Sequence, residues 1–220
     1  MMERPLPKAI VGAGLLAQIM IDKYVDHLPL YRQVERFKRE GVNISYNTMG
    51  DWMRSGVMLI TPLYEVLERL ILQSDYLHAD ETSIKVLDKD KKGETHRGCY
   101  WVYHNSIERI VLFDYQPGRD AEGPKRVLKD FKGHLQTDGY NIYDIFKDKD
   151  DITVLHCIAH ARRKFYDAQQ NDAARAVYAL EQFGLLYAIE RKAKEQQLSD
   201  EDILKLRRDE ALPILQQLGA

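Results

Sequence analysis

The chain has 220 residues, 45% of them apolar and 30% charged, which is the mixture of a folded protein and excludes a disordered or collagen-like chain. Lys and Arg number 32 against 34 Asp and Glu, a net charge of −2, so a polybasic coat is excluded and any nucleic-acid contact must come from local patches. Cys99 and Cys157 are the two cysteines, which excludes a disulfide framework and a four-Cys zinc site and fits a reducing cytoplasm.

The first element is an apolar run, Ala9 to Met20, interrupted by Gln18 and preceded by Arg4 and Lys8. It is shorter than the roughly 20 residues that span a bilayer. Its pattern continues through Asp22, Lys23 and Tyr24, so it reads as an amphipathic helix and not as a signal peptide. Helical spacing persists from Leu15 to about Leu72, with breaks expected at Pro29, Gly41 and again near Gly56 and Pro62. Pro29 suits the first turn of a second helix whose Tyr31, Val34 and Phe37 form one face, while Arg32, Arg36, Lys38 and Arg39 project elsewhere. Gly41 ends that helix, and Ser45 or Asn43 caps a third that carries Met49, Trp52 and Met53 inward. This order fits a DNA-binding helix-turn-helix and fits a plain helical hairpin equally well.

At Tyr76 the pattern changes. Tyr76–Leu87, Cys99–Tyr103 and Arg109–Tyr115 are rich in β-branched and aromatic residues and read as three strands. The charged loop Asp88–Glu94 and the shorter Asn105–Glu108 connect them as antiparallel neighbours. A helix at Ala121–Phe131, a strand at His134–Thr137, a helix at Ile142–Phe146 and a strand at Ile152–His156 follow, and helical spacing then runs to the end. The order β-β-β-α-β-α-β-α predicts an α/β (α+β) mixed sheet, that of the ribonuclease H-like fold, preceded by a small helical segment and followed by helices. The expected divisions are 1–72, helical and DNA-binding; 73–170, a partial ribonuclease H-like core; and 171–220, helical and truncated.

Two aspartates stand where solvent-facing charge is unusual. Asp80 lies inside the first strand and Asp138 at the exit of the fourth, 58 residues later (138 − 80). The first and fourth strands are neighbours in that fold, so the two carboxylates would meet. A Mg2+ or Mn2+ ion would relieve their repulsion and serve phosphodiester chemistry. The plainer reading makes Asp80 a strand-edge residue and Asp138 the start of a turn with Gly139. Cys157 and His160 have the spacing of half a zinc site, but the chain offers no second matching pair, so metal binding there is the weaker reading. His160 is otherwise placed to hold the carboxylates or a DNA phosphate. Arg162, Arg163 and Lys164 follow near a helix start, where cations are disfavoured unless an anion such as DNA is present; a solvated basic face is the alternative.

The segments Gly14-Leu15-Leu16-Ala17, Lys23 to Gln33, Ala79-Asp80-Glu81-Thr82, Gly98 to Tyr103, Thr137-Asp138-Gly139-Tyr140 and Cys157 to Phe165 resemble, in order, the central part of the insertion sequence 66 family transposases. The resemblance covers nearly the whole chain. It implies a DDE transposase that cleaves and joins DNA at transposon ends with two divalent metals. It also implies DNA as partner, an oligomer at full length, no membrane, and a bacterial cytoplasmic, nucleoid-associated location. Asp80 and Asp138 align with the first two acidic residues of that family, and Cys157 and His160 match its Cys-x-x-His signature.

Family members are usually longer, and their final glutamate stands in an Asn-Asn-x-x-Glu-Arg motif that this sequence does not contain. Glu181 and Glu190 are stand-ins for that third carboxylate; Glu190, in Tyr187-Ala188-Ile189-Glu190, reads better as a surface helix residue. The expectation is therefore a transposase fragment, with a catalytically incomplete DNA-binding or regulatory remnant as the alternative.

Overall fold

The computed structural model of the chain describes residues 5–7, 9–88 and 93–219. Two compact units divide it, one ending at Leu70 and the other beginning at Ile71.

The first unit is built from α1 (Ala13–Tyr24), α2 (Leu30–Arg39) and α3 (Tyr46–Ile71). Leu16, Ile19, Met49, Trp52 and Met53 are buried together, so the third helix turns inward the residues its spacing predicts. Ser45 caps it, the hydroxyl accepting the Thr48 N–H at 3.0 Å. On α2, Val34 and Phe37 pack against this core, but Tyr31 is exposed and Gln33 takes the buried place. Its amide donates to the carbonyls of Ile19 within α1 (3.2 Å) and of Leu28 in the following turn (3.0 Å), which ties α2 to α1. The expected break at Gly56 and Pro62 does not occur: α3 runs through both for 26 residues. Pro62 removes one helical hydrogen bond, and the turn from Val57 onward is exposed, so water can satisfy the carbonyl left over.

Asp22, on α1, is buried and bonded to Arg36 on α2, and its other oxygen accepts from Gln18 at 2.6 Å. Removing Arg36 would leave a buried carboxylate short of its cation. Arg36→Met is therefore expected to cost about 2 kcal/mol in urea unfolding, less than a fully buried pair because the Arg36 side chain is 31% exposed. Arg32→Met, on an exposed side chain, is expected to leave the midpoint unchanged.

The second unit opens with β1 (Tyr76–Leu87), β2 (Thr95–Asn105) and β3 (Ile110–Gln116). After them come α4 (Glu122–Val127), β4 (Gly133–Thr137), a 3-10 turn (Asn141–Phe146) and β5 (Ile152–His156). Four helices end it: α5 (Ile158–Ala168), α6 (Ala173–Glu195), α7 (Asp200–Leu206) and α8 (Leu212–Leu218), with a π turn at Arg207–Ala211. The five strands lie in the order β3-β2-β1-β4-β5. β1, β2 and β3 pair antiparallel, while β4 pairs parallel to both β1 and β5. This is the ribonuclease H-like arrangement.

Alternation decides which face is covered. Leu77 and Ala79 on β1, Cys99, Trp101 and Tyr103 on β2 and Leu135 on β4 are buried on one face. α4 and the 3-10 turn cover that face, and the Tyr143 ring meets Trp101 edge-on at 6.0 Å. β1 and β5 have the predicted bounds; β2 is longer at both ends because its pairing with β1 continues out to Thr95 and its pairing with β3 out to Asn105. The Asp88 N–H closes that hairpin on the Glu94 carbonyl at 2.9 Å, while residues 89–92 of the expected charged loop lie outside the described residues. α4 ends earlier than predicted, although Leu128 and Phe131 remain buried, and Asn141–Phe146 is 3-10 in geometry. α5 to α8 pack on one another around Ala179, Phe183, Leu186 and Ile189. Among the described residues no helix is long and apolar enough to cross a membrane.

Candidate metal centre

β1 and β4 run in parallel with Tyr76 opposite His134, Leu77 opposite Leu135 and His78 opposite Gln136. The offset is 58 residues (134 − 76), identical to 138 − 80, so the register continued by two residues sets Asp80 across from Asp138 on the same face. β4 itself stops at Thr137. Gly139, at φ +87°, then bends the chain so that the Tyr140 N–H returns to Asp138 Oδ1 at 2.8 Å. Asp80 Oδ1 accepts the N–H of its neighbour Glu81 at 2.8 Å.

Glu81 leaves β1 on the opposite, buried face, where its register partner is Trp101. Because β4 has ended by this point, no strand separates the two faces on that side of β1, and the Glu81 carboxylate reaches the two aspartates. One oxygen from each of Asp80, Glu81 and Asp138 lies within 4.8 Å of the others. Such a set of hard oxygen donors suits a divalent ion that prefers oxygen, and the like charges favour a cation between them.

Two further side chains hold Glu81. Arg119, in the turn after β3, donates to Oε1, and the Tyr143 hydroxyl donates to Oε2 at 3.3 Å. The Arg119 guanidinium also lies over the Tyr140 ring, 4.1 Å from its centroid. Burial pushes the Glu81 carboxyl up from its ordinary range, Arg119 pulls it back, and Asp138 and Asp80 push it further up. The bond to Glu81 raises Arg119 in turn. Burial, with Glu81 beside it, holds the Tyr143 phenol far above its usual value, so it remains a donor.

The other residues singled out by sequence lie elsewhere. Glu190 on α6 is not in the three-carboxylate group: both its oxygens accept from Arg207, at 2.8 and 2.7 Å. It lines an apolar groove of about 460 Å3 with Ile158, Leu186, Leu212 and Leu215. Glu181 is likewise outside that group, on α6. Cys157 stands at the N-cap position of α5 with its thiol free and making no capping bond, and its N–H is bonded to the Thr137 carbonyl at 2.7 Å, which joins the Cys-x-x-His segment to the strand that precedes Asp138. His160 is partly buried, with Nδ1 enclosed. Arg162, Arg163 and Lys164 are exposed along α5. In the first unit Arg32 donates to the Tyr31 hydroxyl at 3.1 Å, Arg36 is bonded to Asp22, and Lys38 and Arg39 stand in the last turn of α2, where cations complement the helix dipole.

Sequence reasoning missed Glu81 as a member of the cluster, and Arg119 and Tyr143 as its partners. Glu81 stood next to Asp80 in plain view, but strict alternation assigns neighbours to opposite faces. Arg119 follows no periodic pattern that could have pointed to it.

Three curated relatives, all from Sinorhizobium fredii, match the chain. The uncharacterized protein y4hP is 30% identical over 236 residues, covering 96% of this chain and 42% of its own length. Uncharacterized protein y4jD is 29% identical over 238 residues, covering 100% of this chain and 46% of its own. Uncharacterized protein y4qI is 32% identical over 189 residues, covering 77% and 35% respectively. The chain thus spans less than half the length of these relatives. With the family match running from residue 8 to residue 220, through both units and the strands that carry Asp80 and Asp138, this chain belongs to the transposase IS66 family.

Proposed function

We propose that the second unit carries a divalent-metal site of a DDE-type DNA transposase, with Asp80 and Asp138 as the catalytic metal ligands and Glu81 beside them. The observation that carries this reading is the shared 58-residue offset, which brings two distant aspartates to one point, Asp80 within β1 and Asp138 just past the carboxyl end of the adjacent β4. Bound there, Mg2+ or Mn2+ would supply a Lewis acid that stabilises charge on the attacking and leaving oxygens of a phosphodiester. The chain's own part is to hold ligands and DNA. Asp80 and Asp138 each fix one oxygen on a backbone N–H, which restricts rotation of the carboxylate. Arg119 and Tyr143 fix Glu81.

DNA, at transposon ends and target, is the proposed partner. Arg162, Arg163 and Lys164 on α5, and Arg32, Lys38 and Arg39 on α2, would contact phosphates, with Arg36 held back by Asp22. Cys157 and His160 are read as supporting residues, the Cys157 N–H anchoring the start of α5 to β4. Glu190, engaged on both oxygens by Arg207, is read as structural. The second ion of a two-metal reaction needs a further carboxylate, so this chain by itself is expected to bind metal without efficient cleavage or strand transfer.

The test is in two arms. Mn2+ titrated into the purified chain should bind, and the longer family protein with transposon-end DNA should cut and join only when Mg2+ or Mn2+ is present. Metal-independent cleavage, or no Mn2+ binding by the chain, would overturn the assignment. Specific DNA binding without Mn2+ binding would instead favour the regulatory remnant.

A further inference from the structure

We propose that Arg119 is the resident counter-cation of the acidic cluster: it holds Glu81 in place and competes with a divalent ion for the cluster's negative charge. The inference rests on the metal-site reading above and adds to it a residue that sets how tightly the ion is held.

Glu81 makes such a partner necessary. Its side chain is only 3% exposed and lies within reach of two further carboxylates, an arrangement that costs heavily without a cation or donors. Arg119 and Tyr143 supply them, one on each oxygen. Arg119 also reaches the other arm of the cluster. Its guanidinium stacks on Tyr140, whose N–H is bonded to Asp138, so one side chain ties the β1 carboxylate to the turn that follows β4. The ring contact restrains the guanidinium, and the Arg119 side chain remains 47% exposed, open to solvent beside the cluster.

Charge counting gives the consequence. Three carboxylates at −3 and one guanidinium at +1 leave −2, the charge of one divalent ion. Without Arg119 the same ligands would present −3. A fixed positive charge this close opposes an arriving cation by simple Coulomb repulsion, which solvent weakens at a half-exposed site but does not abolish. Loss of Arg119 should therefore loosen the metal-free fold and tighten metal binding, two changes of opposite sign. A residue with a merely structural role would loosen both.

The experiment uses the whole chain, with free Mn2+ followed by electron paramagnetic resonance and thermal unfolding measured with and without the ion. Arg119→Met is expected to lower the metal-free Tm, to bind Mn2+ roughly tenfold more tightly than wild type and to gain more Tm from the ion. Arg119→Lys keeps the charge and should stay within about threefold of wild type in affinity. The double variant E81Q/R119M, with no buried carboxylate to neutralise, should recover metal-free Tm. Tyr140→Leu, which removes the stack and keeps the guanidinium, should tighten Mn2+ binding by a smaller factor, and it carries the test if Arg119→Met does not fold. Wild-type binding with equal or weaker affinity in Arg119→Met, or in Tyr140→Leu where Arg119→Met does not fold, overturns the competition. No binding by wild type overturns the metal-site reading as well.

Discussion

Asp138→Asn and Asp80→Asn are each expected to leave the fold intact while removing most of the divalent-ion affinity and all detectable strand transfer in the longer protein. Asparagine keeps the carbonyl oxygen that accepts the Tyr140 N–H at 138 or the Glu81 N–H at 80, so the local turn is preserved. What disappears is one negative charge and one ligand. Loss of even an outer-shell partner commonly costs ten- to a hundredfold in metal affinity, so losing a direct carboxylate should cost roughly a hundredfold or more. The metal-free protein should be no less stable, because removing one of three neighbouring carboxylates relieves repulsion. Mn2+ binding by calorimetry and thermal unfolding of the same samples check both halves. Glu190→Gln, at a pair exposed on α6, is the control: it should leave Mn2+ affinity unchanged and cost less than about 1 kcal/mol. An Asp138→Asn protein that binds Mn2+ as wild type does would remove that residue from the metal site.

The sheet was legible because its strands carry strong local signals. β1 and β5 are rich in β-branched or aromatic residues, and their ends fall where the sequence predicts. The pairing of β1 with β4 follows from fold order, and with it the meeting of Asp80 and Asp138. Elements ruled by packing were less legible. α3 continues through Pro62 because its exposed turn tolerates a missing hydrogen bond, and Gln33, not Tyr31, is interior because its amide bonds the Ile19 and Leu28 carbonyls. The candidate centre divides in the same way. Its two aspartates sit in motif-bearing segments, but Glu81 joins them only because β4 stops short, which no local pattern encodes. Arg119 lies 38 residues from the carboxylate it pairs with, in a turn with no periodicity at all.

Gly133→Ala is expected to unfold the second unit or destabilise it by about 4 kcal/mol, a large part of the 5–15 kcal/mol that holds a typical domain together. Gly133 begins β4 at φ +132°, a conformation in which a side chain is strained. The space is also taken: a Cβ there would lie 2.2 Å from the Asp75 carbonyl oxygen and 2.7 Å from its carbon. Those are backbone atoms, so no side chain can rotate to make room. Asp75 cannot simply withdraw, because its carbonyl accepts the His134 N–H at 2.8 Å where β1 and β4 first pair, and the Gly133 N–H is bonded to the Asp151 carbonyl at 2.8 Å. Any relief must open the β1–β4 seam, the same pairing whose register aligns Asp80 with Asp138, so metal binding should fall together with stability. Gly184→Ala supplies the opposite sign. That glycine lies within α6 with nothing within 4 Å of its would-be Cβ, so alanine there should stabilise by roughly 0.5–1 kcal/mol. Urea unfolding of the two variants measures both effects, and a Gly133→Ala protein with a wild-type midpoint would show that the β1–β4 contact is not as close as described.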